Sequence, residues 1–212
     1  MDNNKNYNVI RFYLIANRLK EKIRNGWVEI KISKDRLESV AEHIYGCLIL
    51  AIGLDSEYKL NLDMYKVLKM ITLHELEETI IKDFTIRDNI SKEEKIRLGK
   101  EAVSEATEGL LKKEEIEDLL DEFNSRNTKE AVFCYHIDKI ECDFQAKVYD
   151  LQGFFGINDA REDLAFYGED AKRVESLAKC ASDFWIEYDK KLYQDDEIFL
   201  SLINDIQKLD KI

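Results

Sequence analysis

The 212-residue chain has no proline, eight glycines and only three histidines. Proline interrupts helices and glycine loosens them, so their scarcity predicts a mostly helical chain with short connections. No apolar run approaches the ~20 residues of a membrane span, which argues against a bilayer-crossing helix. Lysine and arginine total 32 against 44 acidic residues, a net charge of −12, and there is no large basic block. A nucleic-acid polymer needs clustered cations, so that class of partner is excluded, while a small phosphorylated substrate is not. The opening Met1-Asp2-Asn3-Asn4-Lys5 lacks the apolar core of a signal peptide, and the expected compartment is the cytoplasm.

The four cysteines, at 47, 134, 142 and 180, form no CxxC pair and no zinc-knuckle spacing. Cys134, Asp138 and Cys142 are four apart, as are His43 and Cys47, so each set would share a helix face. Small buried thiols are preferred here to thiolate ligands. A reduced interior agrees with a cytoplasmic protein.

What is present is a balanced 45% hydrophobic and 36% charged composition, suited to one soluble domain with a sizeable core. Apolar periodicity predicts a helix over 7–25, ended by Asn25-Gly26. Alternation over 27–36 predicts an extended loop. Ser39 is placed to open a helix reaching about Leu54. An apolar stretch over 61–82 brings His74 into a buried setting, and 82–89 reads as a loop. Further helices are expected over 92–111, 113–123, 128–152 and 169–193. The expected architecture is all-α: a single domain over 1–212, with its core at about 8–150 and a helical extension at about 159–212.

Two of the three histidines stand 31 residues apart, each beside an acid, in Ser39-Val40-Ala41-Glu42-His43 and His74-Glu75-Leu76-Glu77-Glu78. A third helix carries His136-Ile137-Asp138-Lys139-Ile140-Glu141. Imidazoles and carboxylates on separate helices that share a core are what a divalent-metal site in an all-helical protein requires. Asp138, a charge on an apolar helix face, needs a partner, and a metal is the best candidate. His136 points to another face and reads as structural. Glu77 reads as solvated or ion-paired. His74-Glu75 also opens an HExxH-like string, but position 78 is Glu, so the metalloprotease pattern fails at its second histidine. Neither GxxxxGK[ST] nor GxGxxG occurs.

Taken together, His43, His74-Glu75 and Asp138 resemble the H…HD…D signature of the HD-domain metal-dependent phosphohydrolases. The resemblance is closest to the branch containing the bacterial 5′-deoxynucleotidases and their relatives, and it covers about two thirds of the chain, residues 8–150. Other segments agree. Arg24-Asn25-Gly26-Trp27 is similar to the family's Arg-x-Gly-Trp, and Glu38 to His43 to its E-S-V-(A/S)-E-H. His74 to Asp83 is similar to H-D-x-x-E-x-x-x-x-D, Thr85 stands where Thr is common, and Asp138 to Glu141 is similar to D-K-L-E. The departure is Glu75, where the signature has Asp.

This resemblance implies a compact HD-domain helical bundle with additional C-terminal helices. It implies one divalent ion, Co, Mn, Mg or Zn, on His43, His74, Glu75 and Asp138, with Glu75 adding a methylene of ~1.5 Å to the reach. It further implies Glu78 as the catalytic acid or base, one helical turn beyond His74, and Asp83 as the acid near the scissile bond. Arg24 would contact the phosphate and Trp27 would pack on the sugar, although a surface cation and a core aromatic fit these two almost as well. The implied reaction is hydrolysis of deoxyribonucleoside 5′-monophosphates by a homodimer. Hydrolysis of another phosphate ester or pyrophosphate, and nucleotide binding without turnover, are the alternatives.

Overall fold

A computed structural model describes residues 5–85, 88–162 and 164–211. Among them there is no strand, and an isolated antiparallel bridge joins Ile23 to Ser39. The described residues form eleven α-helices, in order α1 (Lys5–Ala16), α2 (Asn25–Glu29), α3 (Val40–Glu57), α4 (Met64–Leu73), α5 (Lys92–Ala106), α6 (Lys113–Ser125), α7 (Lys129–Leu151), α8 (Ile157–Glu162), α9 (Ala171–Leu177), α10 (Asp183–Asp189) and α11 (Glu197–Gln207). None is long and apolar enough to cross a membrane. The chain sorts into two compact units, Met1–Asn25 with Glu38–Tyr135, and Gly26–Leu37 with His136–Ile212.

In the first unit a core of Ile15, Leu76, Val103, Ala106, Ile116 and Leu120 lies beneath α1, α5 and α6. A smaller cluster of Leu19, Val40 and Ile44 seats the start of α3. The second unit has a strongly aromatic core in which Trp27, Tyr149, Phe155, Tyr167 and Phe184 are buried together. Ala160, Tyr167, Val174, Ala181 and Phe184, all after residue 159, are members of that core.

Several elements differ from the sequence reading. The helix expected over 7–25 stops at Ala16, tightens into a 3-10 turn at Asn17–Lys20 and then leaves helical geometry. Residues 22–24 instead pair with 38–40: Arg24 N–H donates to the Glu38 carbonyl at 3.0 Å and Val40 N–H to that of Lys22 at 2.8 Å. Long-range pairing outweighs local propensity here. Asn25-Gly26 therefore opens α2 and does not end α1, and the stretch expected to be extended begins as helix, because Trp27, Ile30 and Ile32 all enter the core. The helix expected over 169–193 is broken between α9 and α10. At the break the Asp183 carboxylate accepts from the backbone of Lys179 at 2.7 Å and of Cys180 at 3.3 Å.

Candidate metal and phosphate site

The first unit brings six of the expected site residues onto neighbouring short segments. His43 stands one turn inside α3, whose start is fixed by a reciprocal capping box. Ser39 Oγ accepts from Glu42 N–H at 3.3 Å, and the Glu42 carboxylate accepts from Ser39 N–H at 2.9 Å. Burial of Val40 and Ile44 turns the face bearing His43 inward, and His43 has no exposed surface.

His74 follows the last residue of α4. Glu75 then takes φ −104° and ψ 16°, in the sparsely populated bridge region, before a 3-10 turn at Leu76–Thr79. Helix therefore does not continue through the motif, and Glu78 is reached through this turn and not by one α-helical repeat from His74. Buried Leu76 anchors the turn in the core.

His74 Nδ1 lies 2.7 Å from the Ile71 carbonyl oxygen. A carbonyl only accepts, so Nδ1 carries the proton and Nε2 presents its lone pair, the orienting arrangement usual for metal-binding imidazoles. Glu75 Oε1 stands 3.6 Å from His74 Nε2 and 3.7 Å from His43 Nε2. Two ligands each 2.0–2.2 Å from one tetrahedral ion are ~3.3 Å apart. The observed spacings are within a few tenths of an ångström of that, so the longer glutamate suits the two histidines. One ligand atom from each of the three lies within 4.8 Å of the others. Two imidazole nitrogens and a carboxylate oxygen suit a divalent ion of the zinc, cobalt or manganese kind. Cys47 also belongs to a group with His43 and His74, its Sγ 3.6 Å from His43 Nε2.

Arg24 closes one side: its Nη1 donates to Glu75 Oε1 at 2.9 Å. Glu78 is buried, and its Oε2 has no hydrogen-bond partner among the described residues. Its pKa is pushed up to about 10, chiefly by burial, then by the charges of Glu75 and Asp83, with Arg24 and Lys22 opposing. Asp83 is clamped by Asn25, whose backbone N–H donates to Oδ2 at 2.9 Å and whose side-chain amide donates to the Asp83 carbonyl at 2.6 Å.

Asn25 and Lys22 were missed as functional positions. The Lys22 ammonium donates to the backbone carbonyls of Glu78 and Ile81, and so holds the turn that carries Glu78. Asn25 lies within the recognised Arg24–Trp27 segment, which was the available signal. Lys22 had none, because its partners are main-chain atoms far along the chain.

Glu77, expected to be solvated or ion-paired, is instead laid against α5: a Cβ on Gly99 would fall 2.5 Å from its Oε2. Burial, then Glu75, raises its pKa to about 7. It lines a cleft of about 380 Å³ with residues of α5 and α6.

The remaining two expected residues belong to the second unit. Trp27 is 4% exposed, edge-on to Tyr149 at 5.4 Å and tilted against Trp185 at 6.2 Å, which favours the core role over contact with a sugar. Asp138 is buried on α7, its Oδ2 2.9 Å from Lys139 Nζ. His136 lies 3.2 Å from Asp196 Oδ2 and edge-on to Tyr193 and Phe199, a structural setting.

Residues 16–179 match the model of the HD domain. A 5′-deoxynucleotidase HDDC2 of Dictyostelium discoideum is 35% identical over 152 residues, 68% of this chain and 79% of the relative. The human 5′-deoxynucleotidase HDDC2 is 30% identical over 190 residues, 82% of this chain and 91% of the relative. A solved structure of a conserved hypothetical protein from Pyrococcus furiosus superposes with a TM-score of 0.66 at 25% identity, covering 94% of this chain and 99% of that one. With its paired histidines, its glutamate variant of the acidic dyad and these relatives, the chain belongs to the HD-domain family, in the branch of 5′-deoxynucleotidase-type metal-dependent phosphohydrolases.

Proposed function

We propose that this protein hydrolyses deoxyribonucleoside 5′-monophosphates to nucleoside and inorganic phosphate, using one divalent ion held by His43, His74, Glu75 and Asp138. The observation that carries this reading is the gathering of both histidine Nε2 atoms around Glu75 Oε1, with the Arg24 guanidinium on that same oxygen. Asp138 joins the set on its sequence motif. When bound, an ion of Co, Mn, Mg or Zn supplies polarisation of a phosphate oxygen and a lowered water pKa.

The chain's own residues do the rest. Arg24 offers the phosphate a fixed cation, suited to charge that grows as the P–O bond breaks. Glu78 in the protein alone holds its proton at neutral pH and can pass it to the departing 5′-oxygen. Asn25 fixes Asp83 beside the residue that binds phosphate, where it orients the nucleotide. Trp27 acts by anchoring α2 in the core and not by offering a face to the sugar.

The protein is a cytoplasmic homodimer in this reading. Exposed Tyr7, Ile10 and Leu14 share a face of α1, and exposed Tyr45, Ile49 and Ile52 share a face of α3, as an interface between copies requires.

The test is phosphate release from a panel of ribo- and deoxyribonucleoside 5′-monophosphates, with protein stripped of metal and resupplied with Co²⁺, Mn²⁺, Mg²⁺ or Zn²⁺. Metal-dependent release from deoxynucleotides, absent in Glu78→Ala, supports the reading. No release from folded, metal-loaded protein overturns it in favour of another phosphate ester or of nucleotide binding alone.

A further inference from the structure

One short segment of the first unit grips both ends of the turn that carries Glu78. Residues 22–24 pair with 38–40 about the Ile23–Ser39 bridge, in extended geometry. Side chains two apart on extended backbone point to the same side. Lys22 and Arg24 therefore leave the segment together, and both reach the stretch 75–81. Arg24 takes its beginning, at Glu75 Oε1 and 2.9 Å. Lys22 takes its end, where the ammonium donates to the carbonyls of Glu78 and Ile81.

That end needs a donor from outside. The N–H groups of Ile80 and Ile81 both turn back to the Glu77 carbonyl, at 3.1 Å each. A continuing 3-10 turn would give the Ile81 N–H to Glu78, so the Glu78 carbonyl turns to Lys22 instead. An ammonium carries three donors on a flexible stem, which suits it to carbonyls left at the C-terminal end of a helical turn. Arg18, in the 3-10 turn Asn17–Lys20, adds its Nη1 to the Thr79 carbonyl at 3.4 Å.

Lys22 is tied to the histidine helix as well. Its own carbonyl accepts from the N–H of Val40 at 2.8 Å, at the first residue of α3 and three residues before His43. Through its carbonyl and its ammonium, one residue joins the start of that helix to the turn of Glu78. The ammonium is committed to main-chain carbonyls, so Lys22 acts on the reaction through Glu78 and not by touching the ligand.

We propose that Lys22 is a positioning residue for the phosphate-ester hydrolysis: with Arg24 it braces the stretch from Glu75 to Ile81 at both ends, and so fixes where the Glu78 carboxyl stands. The proposal rests on the reading of Glu78 as the proton donor to the departing oxygen. Misplacing a reacting group by about 1 Å can cost about 10²-fold in rate. His43, His74 and Glu75 all lie before the end that Lys22 holds, so its loss should fall on turnover and spare ion binding.

The test is Lys22→Met, which keeps the apolar stem and removes the donors, in the metal-loaded full chain acting on a deoxyribonucleoside 5′-monophosphate. The kcat should fall about 10–100-fold. KM and the calorimetric Kd for the metal should change by less than about threefold. Lys22→Arg, which keeps charge and donors, should recover most of the kcat, which mere filling of space would not require. If Lys22→Met does not fold, Lys22→Gln decides, with kcat expected to fall at least about tenfold at unmoved KM. Independently of turnover, amide exchange at Ile80 and Ile81 should speed about tenfold in the variant. An unchanged kcat, a KM or metal Kd that moves as far as kcat, or an arginine variant no better than methionine would each overturn the positioning role. Unchanged amide exchange would overturn the brace itself. A parent chain that releases no phosphate would overturn the underlying reading of Glu78, a failure told apart from that of the brace by the exchange measurement.

Discussion

Arg24 Nη1 and Glu75 are joined at 2.9 Å through Oε1, the same oxygen that stands 3.6–3.7 Å from the Nε2 atoms of both histidines. One carboxylate oxygen therefore sits between the group assigned to phosphate and the groups assigned to the metal. Both partners are largely buried, with side-chain exposures of 15% and 14%, so removing the arginine leaves a carboxylate short of its cation. Arg24→Ala is expected to lower kcat/KM by about 10²–10³, the usual loss for one transition-state donor. Steady-state kinetics on a deoxyribonucleoside 5′-monophosphate measures this. Unchanged kcat and KM would remove Arg24 from the site.

Glu78 makes stability depend on pH in a definite direction. Its pKa rises from 4.5 to about 10, so between those values the folded chain binds a proton that the unfolded chain has released. Stability from this group is fully present below about 4.5 and is lost as pH climbs towards about 10, at a slope of at most ~1.4 kcal/mol per pH unit. Glu77 adds to the slope up to about 7. Melting curves in chelator across this range should show Tm falling with pH. Glu78→Gln, neutral throughout, should flatten the fall above pH 7, and an equal slope in the variant would refute the assignment.

The capping box at Ser39 makes a sharper structural test, because it acts on His43 only through α3. Ser39→Ala removes the acceptor for Glu42 N–H and is expected to cost about 1 kcal/mol. In a chain of this size that lowers Tm by about 2–4 °C. The turnover of folded protein should change little. A large loss of turnover at unchanged Tm would mean that Ser39 touches substrate.

The site was legible where it rests on side-chain chemistry in short motifs. His43, His74 and Glu75 stand out as imidazoles and a carboxylate on helices that share a core, and Glu78, Asp83 and Arg24 through the resemblance to the family's motifs; all six lie in one unit on adjacent segments. The course of the backbone between them was less so. Periodicity carried helix through His74 and through Arg24, whereas the chain breaks at Glu75 and runs extended over 22–24. Both breaks are set by partners remote in sequence: Lys22 reaches the carbonyls of Glu78 and Ile81, and residues 22–24 pair with 38–40. The sequence fits Trp27 as a sugar-packing residue or a core aromatic. Only the placement of Tyr149 and Trp185 around it favours the core.

Glu75→Asp restores the residue usual in the family's dyad, and the geometry predicts that it harms this protein. The carboxylate would retreat by ~1.5 Å from two imidazoles and a guanidinium now met at 2.9–3.7 Å. The bridge-region backbone at Glu75 is pinned on one side by buried Leu76 and on the other by the His74–Ile71 hydrogen bond, so it cannot follow the shorter side chain. Affinity for the activating metal should fall by at least about tenfold, with Arg24 losing its partner at the same time. Calorimetric metal titration of wild type and variant measures this without reference to turnover. Tighter binding by the aspartate would mean that the His74–Glu75 backbone shifts freely, and that the glutamate is a tolerated departure and not the residue around which the site is built.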